Sequence, residues 1–563
     1  MNILGISCFY HDSAACLVVD GKIVAAVQEE RFNRSKYSSV FPINAINFCI
    51  QKGDITIYDI DYVVFYEKPY LKFSRVVLNH LKSYPFSLKN FLDTTPGWLQ
   101  HRLATSLFIK KELGFKGEVL FLKHHLSHAA SSFLSSPFKN AAILTADGVG
   151  EYASLTYGLG VENEIKILKE IHFPDSLGLL YTAVTTFLGF KALQGEGKVM
   201  GLAGYGKPRY VNDFGEILTV KADGSFRLDD SFFGFNKGSR MYSRKFTKKF
   251  GNARKSEEKI EPRHQDMAAT VQKILEDALI KIAKHVYSET KLDNLCLAGG
   301  VFLNCVLNSK IIECTPFKKI FIQPAAGDAG GALGAATYVY HSVLKNPRSF
   351  ILQDVYLGPD FTDRQMKTAL LKNNLQFKEY NDYDLIEYVA KEISKDKIIG
   401  WFQGRMEFGP RGLGNRSILA NPCSLKIRDM MNKKVKKREA FRPYAPSVLE
   451  ERANDFFISK QFSYFMLIAA KVKESKKNLI PAVTHIDGTA RVQIVSRSRS
   501  LKFWQLIKEF ENITRIPVVL NTSFNLIGEP IVCTPEDAIS TFKRSEMDYL
   551  VLNNFLVSKY KKV

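Results

Sequence analysis

The 563-residue chain lacks several features that would fix its class at once. Its eight cysteines, Cys8, Cys16, Cys49, Cys296, Cys305, Cys314, Cys423 and Cys533, form no CxxC pair and lie mostly in apolar stretches. That excludes a disulfide framework and a cysteine zinc site, and it suits a reducing compartment. No apolar run reaches the roughly 18–20 residues a membrane-crossing helix needs. The start, Met1-Asn2-Ile3-Leu4-Gly5, lacks the basic-then-apolar layout of a signal peptide. The expectation is a cytoplasmic protein with no membrane partner. There is no internal repeat or low-complexity tract to suggest a solenoid or wholesale disorder. Acidic residues are the scarce charge: 57 Asp and Glu stand against 78 Lys and Arg, a formal net charge of +21. Such an excess fits nucleic acid, small anions such as nucleotides, or simply a basic surface.

What is present is ordinary globular material. Hydrophobic residues make up 46% and charged residues 24%, enough for large cores. The length suggests two to four structural units of roughly 100–200 residues each. The opening reads as strands Asn2–Cys8, Ala14–Val19 and Lys22–Val27, the last two flanking the turn Asp20-Gly21. This resembles the way each lobe of the actin/Hsp70/sugar-kinase superfold begins. A second opening of the same kind is Ala141–Ala146, ending at Asp147-Gly148 and followed by Tyr152–Leu159. Later come an amphipathic helix over Gln265–Ser288, a strand Asn294–Ala298, and a glycine-rich turn Ala326–Gly334 leading into a small-residue helix. Lys345-Asn346-Pro347-Arg348 reads as a linker, which divides the chain into domains 1–350 and 351–563. The second mixes helices (Asp384–Lys395, Pro535–Arg544) with strands (Ile398–Phe402, Ile516–Leu520).

The strongest local motif is His124-His125-Leu126-Ser127-His128. On a helix, positions i and i+4 share a face, so His124 and His128 can chelate one ion. Asp147 at a strand end and Asp328 in the glycine-rich turn could complete an imidazole–carboxylate set suited to iron(II), manganese or zinc. An HxxxH alone is more often structural, and His125 points off the shared face. His11-Asp12, between two strands, can be a general base or a plain turn. Gly299-Gly300 and Ala326–Gly331 would let a nucleotide approach the backbone, with Asn304 nearby, although glycine also marks close packing. Further on, Arg405, Arg411 and Arg416 lie among four glycines; guanidinium groups beside open backbone suit phosphate. Lys436-Lys437-Arg438, Arg442, Arg491 and Asn521-Thr522-Ser523-Phe524-Asn525 extend that basic, polar character.

At these residues the chain resembles the nodulation/antibiotic O-carbamoyltransferase family, which includes the tobramycin and cephamycin enzymes. The likeness runs end to end: His11-Asp12-Ser13-Ala14, Glu29-Glu30-Arg31-Phe32, His124–Ala129, Gly195–Ala203, Pro262-Arg263-His264, Gly299-Gly300-Val301, Arg405–Ser417, Arg438–Pro446 and Asn521–Asn525. Tyr37 stands where the family would have histidine after Lys36. The resemblance implies a two-domain α/β enzyme. Its N-terminal domain is actin/Hsp70-like, similar to the tRNA threonylcarbamoyl transferase; its C-terminal domain is similar to the YrdC-like α/β fold. The C-terminal domain would join carbamoyl phosphate and ATP, with Mg²⁺, into carbamoyl-adenylate and pyrophosphate. The N-terminal domain would pass the carbamoyl group to a small-molecule hydroxyl and release AMP.

The resemblance carries over to residues as well. The YrdC-like KxR and SxN signatures fall on Lys436, Arg438, Ser523 and Asn525, with Arg405, Arg411, Arg416, Arg491 and Asn521 around the substrates. The family's iron(II) ligands fall on His124, His128, Asp147 and Asp328. His11 would bind the carbamoyl group or deprotonate the hydroxyl, and Gly299, Gly300 and Asn304 would line the adenosine. A homodimer is compatible with the resemblance. The alternatives are a threonylcarbamoyladenosine-forming tRNA enzyme and a non-catalytic nucleic-acid binder; the sequence leaves the acceptor open.

Overall fold

The computed structural model describes residues 1–82, 84, 88, 92, 103–235 and 240–559. The chain forms two compact units: Met1–Glu29 with Ser39–Leu352, and Glu30–Ser38 with Gln353–Val563. The short excursion of Glu30–Ser38 into the second unit is absent from any linear division at 350 and 351.

Unit 1 contains one sheet plan twice. The first sheet holds β1 (Asn2–Ser7), β2 (Ala14–Val19), β3 (Lys22–Gln28), β4 (Tyr62–Phe65) and β5 (Glu118–Phe121) in the order β3-β2-β1-β4-β5. β1 runs antiparallel to β2, and β2 to β3, while β1, β4 and β5 are parallel. The second sheet holds β6 (Asn140–Ala146), β7 (Ala153–Val161) and β8 (Glu164–His172). After the short pair β9 (Leu218–Val220) and β10 (Phe226–Leu228), β11 (Asn294–Ala298) and β12 (Lys319–Ile322) complete it. Its order, β12-β11-β6-β7-β8, has the same directions. This doubled order is that of the actin/Hsp70-like fold. The repeat lies in topology, and the sequence carries no matching period. The parallel strands are buried on both faces, so Tyr62–Phe65 and Asn294–Ala298 read as apolar runs. Edge strand β8 alternates instead and turns Lys and Glu outward, which discourages pairing with another chain.

Helix boundaries refine the sequence reading. The long helix runs Pro262–Thr290, with proline in its first turn where a missing N–H does no harm. Asp328 opens the helix Asp328–Tyr338 rather than lying in a turn, and Asn304 caps the helix Cys305–Cys314 from outside it. In the Gly195–Ala203 motif a helix occupies Glu196–Ala203. All eight cysteines are free thiols. Among the described residues no helix is long and apolar enough to cross a membrane.

Unit 2 is built on a mixed eight-stranded sheet. In chain order its strands are β13 (Lys378–Glu379), β14 (Ile399–Phe402), β15 (Arg416–Ala420) and β16 (Ala445–Leu449). A small sheet of β17 (Phe457–Ile458), β18 (Ala469–Val472) and β19 (Thr489–Arg491) interrupts. Then come β20 (Gln493–Val495), β21 (Val518–Ser523), β22 (Tyr549–Leu552) and β23 (Phe555–Ser558). The large sheet's order is β13-β23-β22-β14-β15-β21-β16-β20. Trp401, Phe402, Leu419, Leu520, Phe524 and Leu550 belong to its core. Asn521 and Ser523 lie within β21 rather than after a strand ending at Leu520, and Ser523 pairs with Ser417 of β15.

Candidate functional site

Three elements of unit 1 deliver four side chains to one point. The helix His124–Phe133 presents His124 and His128 on one face, their Nε2 atoms 3.1 Å apart. The residue after β6 is Asp147, whose Oδ2 lies 3.4 Å from His124 Nε2 and 3.0 Å from His128 Nε2. Asp328, at the start of its helix, has Oδ1 3.7 Å from each of the same nitrogens. One potential ligand atom from each of the four falls within 4.8 Å of the others. The helix starts are themselves held. Glu151 accepts the His124 backbone N–H at 2.9 and 3.1 Å and that of Lys68 at 2.8 Å. Tyr66 donates its hydroxyl to Asp328 Oδ2 at 3.4 Å. Glu151 is a supporting residue that the sequence reading missed; only its folded position reveals it.

The electrostatics suit a cation. His124, His128 and Asp328 are each 2% exposed or less, and Asp328 Oδ1 has no hydrogen-bond partner. Burial would lower the His128 pKa, but hydrogen bonds and charges from Asp147 and Asp328 outweigh it and raise it to about 9. Burial likewise opposes protonation of His11, yet Asp328 and Asp12 push it up to about 10. Two buried carboxylates facing imidazole nitrogens form a hard, oxygen–nitrogen donor set that fits a divalent metal ion. His125 differs. Its Nδ1 bonds Thr145 Oγ1 at 2.7 Å, and burial followed by the charges of His124 and His128 holds its pKa well below the usual imidazole value. That is a supporting core histidine.

His11 reaches the same place from the β1–β2 connection. Its Nδ1 lies 3.0 Å from Asp12 Oδ2 and its Nε2 3.9 Å from Asp328 Oδ2. Gly299, at φ 100°, lets the loop after β11 pass against the Ala146 carbonyl, where any Cβ would overlap it. A Cβ on Gly300 would come 3.1 Å from Asp147 Oδ1, so this loop abuts the four-residue cluster. Asn304 Oδ1 accepts the Leu307 N–H at 3.0 Å, and Asn304 Nδ2 donates to Gln272 Oε1 at 2.8 Å. Its amide is therefore occupied as a helix cap.

Unit 2 gathers the opposite charge. Lys436, 5% exposed, donates to the Ser523 carbonyl at 2.5 Å and to the Asn525 carbonyl and Oδ1, both at 2.9 Å. Ser523 Oγ donates to Asn525 Oδ1 at 2.8 Å. Four of the predicted site residues thus meet here, since Arg438 adjoins Lys436. Burial, then the charges of Arg438, Arg442 and Lys36, hold the Lys436 ammonium well below its ordinary pKa, and no carboxylate is among those influences. Arg438 lies over the Tyr444 ring at 4.3 Å; burial lowers its pKa to about 10, Arg442 and half-buried Arg491 adding to the effect. Lys36, far away in sequence, is the second residue that linear reading missed.

The arginine–glycine run is less uniform than its composition suggests. Arg416 is fully buried; it donates to the carbonyls of Gln403, Gly404, Asn415 and Pro359 at 2.5–3.1 Å and lies 3.5 Å over Phe402. This corrects its expected phosphate role, because both Nη groups are committed to backbone carbonyls and the side chain is fully buried. Asn521 is also withdrawn, fully buried and donating to Ser447 and Gln493. Arg405 donates to the Leu357 and Gly358 carbonyls, at 2.6 and 3.3 Å, and Arg411 is half-buried in the same loop. Glu407 organises that loop by accepting the N–H groups of Leu413, Asn415 and Arg416 at 2.7–3.1 Å.

Comparison with known proteins agrees with this division. Residues 2–337 match the family model described as Carbamoyltransferase N-terminus, and residues 390–559 match Carbamoyltransferase C-terminus. An uncharacterized protein of Synechocystis is 46% identical, the match covering 99% of this chain and 97% of that one. Nodulation protein NolNO of Sinorhizobium fredii is 39% identical over 98% of this chain and 79% of its own. Among solved structures, the Acidaminococcus fermentans (R)-2-hydroxyglutaryl-CoA dehydratase component A is 13% identical with a TM-score of 0.31, covering 61% of this chain and 99% of that one. On the two family models and the NolNO likeness, the chain belongs to the carbamoyltransferase family and is a transferase enzyme.

Proposed function

We propose that the enzyme is an ATP-dependent O-carbamoyltransferase that forms carbamoyl-adenylate in unit 2 and transfers the carbamoyl group to a small-molecule hydroxyl in unit 1. The observation that carries this reading is the contrast in charge: cations gathered around a buried lysine in one unit and a cation-seeking cluster in the other. In the YrdC-like reading of unit 2, Lys436, Arg438 and Arg491 hold the phosphates of carbamoyl phosphate and Mg-ATP, with Ser523 and Asn525 fixing the lysine. Water first cleaves the bond between the carbamoyl group and phosphate, giving carbamate and inorganic phosphate. A carbamate oxygen then attacks the α-phosphorus of ATP and pyrophosphate leaves, with cations matching the negative charge that gathers there.

In unit 1, His124, His128, Asp147 and Asp328 would hold a divalent metal, iron(II) in the family resemblance, which when bound supplies Lewis acidity toward a phosphate oxygen. His11, with Nδ1 tied to Asp12, is placed to hold the carbamoyl oxygen or to take the acceptor's proton. The hydroxyl oxygen bonds to the carbamoyl carbon, the bond from that carbon to the AMP oxygen breaks, and AMP leaves. The test is pyrophosphate release from ATP and carbamoyl phosphate with no acceptor present. Release that Lys436→Ala abolishes supports the reading. No release, or release only with threonine and bicarbonate, overturns it in favour of the tRNA-type chemistry.

A further inference from the structure

We propose that Arg75, on the helix Pro69–Lys82 of unit 1, is a specificity residue that pairs with an oxyanion of the acceptor, so that the hydroxyl compound this enzyme takes carries a carboxylate or a similar anionic group. This deepens the transfer reading and rests on it. Two routes tie the arginine to the four-residue cluster. On one side, Tyr10 precedes His11, and the centres of their rings lie 4.6 Å apart. Lys72 Nζ lies 4.7 Å from the centre of the Tyr10 ring. Lys72 and Arg75 are three positions apart on one helix, so their side chains share a face. On the other side, the Arg75 guanidinium lies 5.4 Å from the centre of the Phe173 ring. Phe173 donates its N–H to the Tyr152 carbonyl at 2.8 Å. Tyr152 follows Glu151, the carboxylate that holds the His124 N–H. Gly150, in the same connection, lies so close to His124 that an added Cβ would come 2.9 Å from the His124 Cβ.

The charged neighbours are already engaged, and Arg75 is not. Lys72, 5% exposed, donates to Glu67 Oε2 at 2.6 Å. Glu151 accepts the N–H groups of Lys68 and His124 at 2.8 and 2.9 Å. The guanidinium of half-buried Arg75 makes no hydrogen bond or ion pair among the described residues, and its Nε is buried without a partner. The hydroxyl of Tyr10, a residue 43% exposed, makes no hydrogen bond among them either. Burial holds the Arg75 pKa below the ordinary guanidinium value, against the charges of Tyr10, Glu67, Glu151 and Tyr152. Those carboxylates favour the cation from a distance without using its donors. Packing on Phe173 does not satisfy the donors, and a buried donor without an acceptor is costly. The guanidinium fork matches a carboxylate or phosphate. The loop Gly299-Gly300, proposed to line the nucleoside, approaches the cluster at Asp147. Arg75 instead connects through Lys72 and Tyr10 to His11, the residue placed to take the acceptor's proton. That favours the acceptor over the adenylate as the source of the oxyanion.

The experiment gives the full chain ATP, carbamoyl phosphate and matched pairs of hydroxyl compounds: glucuronate with glucose, galacturonate with galactose, and hydroxy acids with their amides. Carbamoylated products are followed by mass, and KM and kcat are compared for wild type, Arg75→Gln and Arg75→Lys. We expect wild type to favour the acidic member of a pair. Arg75→Gln should raise KM for that member about 10–100-fold, the range for hydrogen bonds to a charged group, with little change in kcat or in the neutral member. Arg75→Lys should restore part of the affinity. A wild-type preference for neutral members, or an equal loss on both members, overturns the proposal. Calorimetric titration with AMP separates the two sources of an oxyanion: weaker AMP binding by Arg75→Gln assigns the arginine to the adenylate and overturns the acceptor role. If wild type carbamoylates no member, the same acids are titrated with AMP present. Binding weakened by Arg75→Gln sustains the proposal, and equal or absent binding overturns it. Missing acceptor-free pyrophosphate release marks failure of the adenylation reading by itself, and the titrations then decide the role of Arg75.

Discussion

The two units solve opposite electrostatic problems. In unit 1 two carboxylates, Asp147 and Asp328, face two histidines with no lysine or arginine bonded to any of the four among the described contacts. In unit 2 Lys436 is surrounded by cations with no carboxylate among the charges acting on it. Burying unbalanced charge is costly in either sign. In the proposed reading each site is completed by its ligand, a cation in one and a polyanion in the other. A net charge of +21 averages over this difference and conceals it.

The sharpest break in the comparison is chemical separability. Lys436→Ala should lower acceptor-free pyrophosphate exchange by about 10²–10³-fold, the range for removing one preorganised donor at a developing charge. It should leave metal content, read by elemental analysis, unchanged. Asp328→Asn keeps shape and removes charge; it should take bound metal from stoichiometric to undetectable while leaving exchange intact. Chelation should reproduce that pattern, with excess Mg²⁺ restored for ATP. If either change abolishes both readouts, the two sites are not separate.

What the sequence revealed follows from the range of the interaction. His124 and His128 were legible because one helical turn brings them together, and Asp147 because a strand end is a local event. The doubled fold was legible from two strand openings, although the lobes share no sequence period. Lys436, Ser523 and Asn525 were legible only through resemblance, since nothing local says that a lysine will donate to residues two strands later in the sheet's construction. Arg416 misled because its composition, arginine among glycines, is the same for a phosphate cradle and for a loop that consumes its own guanidinium. Glu151 and Lys36 had no local signature at all.

A change away from the ligands can sharpen the same contrast. The helices His124–Phe133 and Asp328–Tyr338 carry three of the four cluster residues, and they touch at Gly334, where an added Cβ would overlap the Ser127 carbonyl oxygen. Gly334→Ala must push the helices apart. The expected result is metal affinity lower by roughly 10–100-fold, comparable to losing a supporting contact of a metal ligand, with pyrophosphate exchange retained. Arg416→Ala should act on unit 2 alone and on stability. Leaving four carbonyls without their cation should cost about 3–5 kcal/mol, or roughly 10 °C in Tm for a unit of this size. Arg416→Lys should recover only part of that, because an ammonium lacks the guanidinium fork.

The smallest expected effect concerns the other basic run, between 237 and 263, where Lys237 lies outside the described residues. Several of its charges are matched locally. Lys245 pairs with Asp229 at 2.8 Å, Lys249 with Glu216 at 2.9 Å and Asp213 at 3.2 Å, and Arg263 with Glu261 at 2.8 Å. Exposed pairs of this kind contribute little to stability, so Lys245→Ala with Lys249→Ala should shift Tm by only a few degrees and leave exchange and metal content unchanged. The double variant also separates small anions from nucleic acid as the reason for the positive charge. A nucleic-acid binder would lose affinity for tRNA and show a shallower salt dependence when two phosphate contacts are removed. An enzyme whose functional cations lie around Lys436 should show the same weak, salt-sensitive tRNA association before and after.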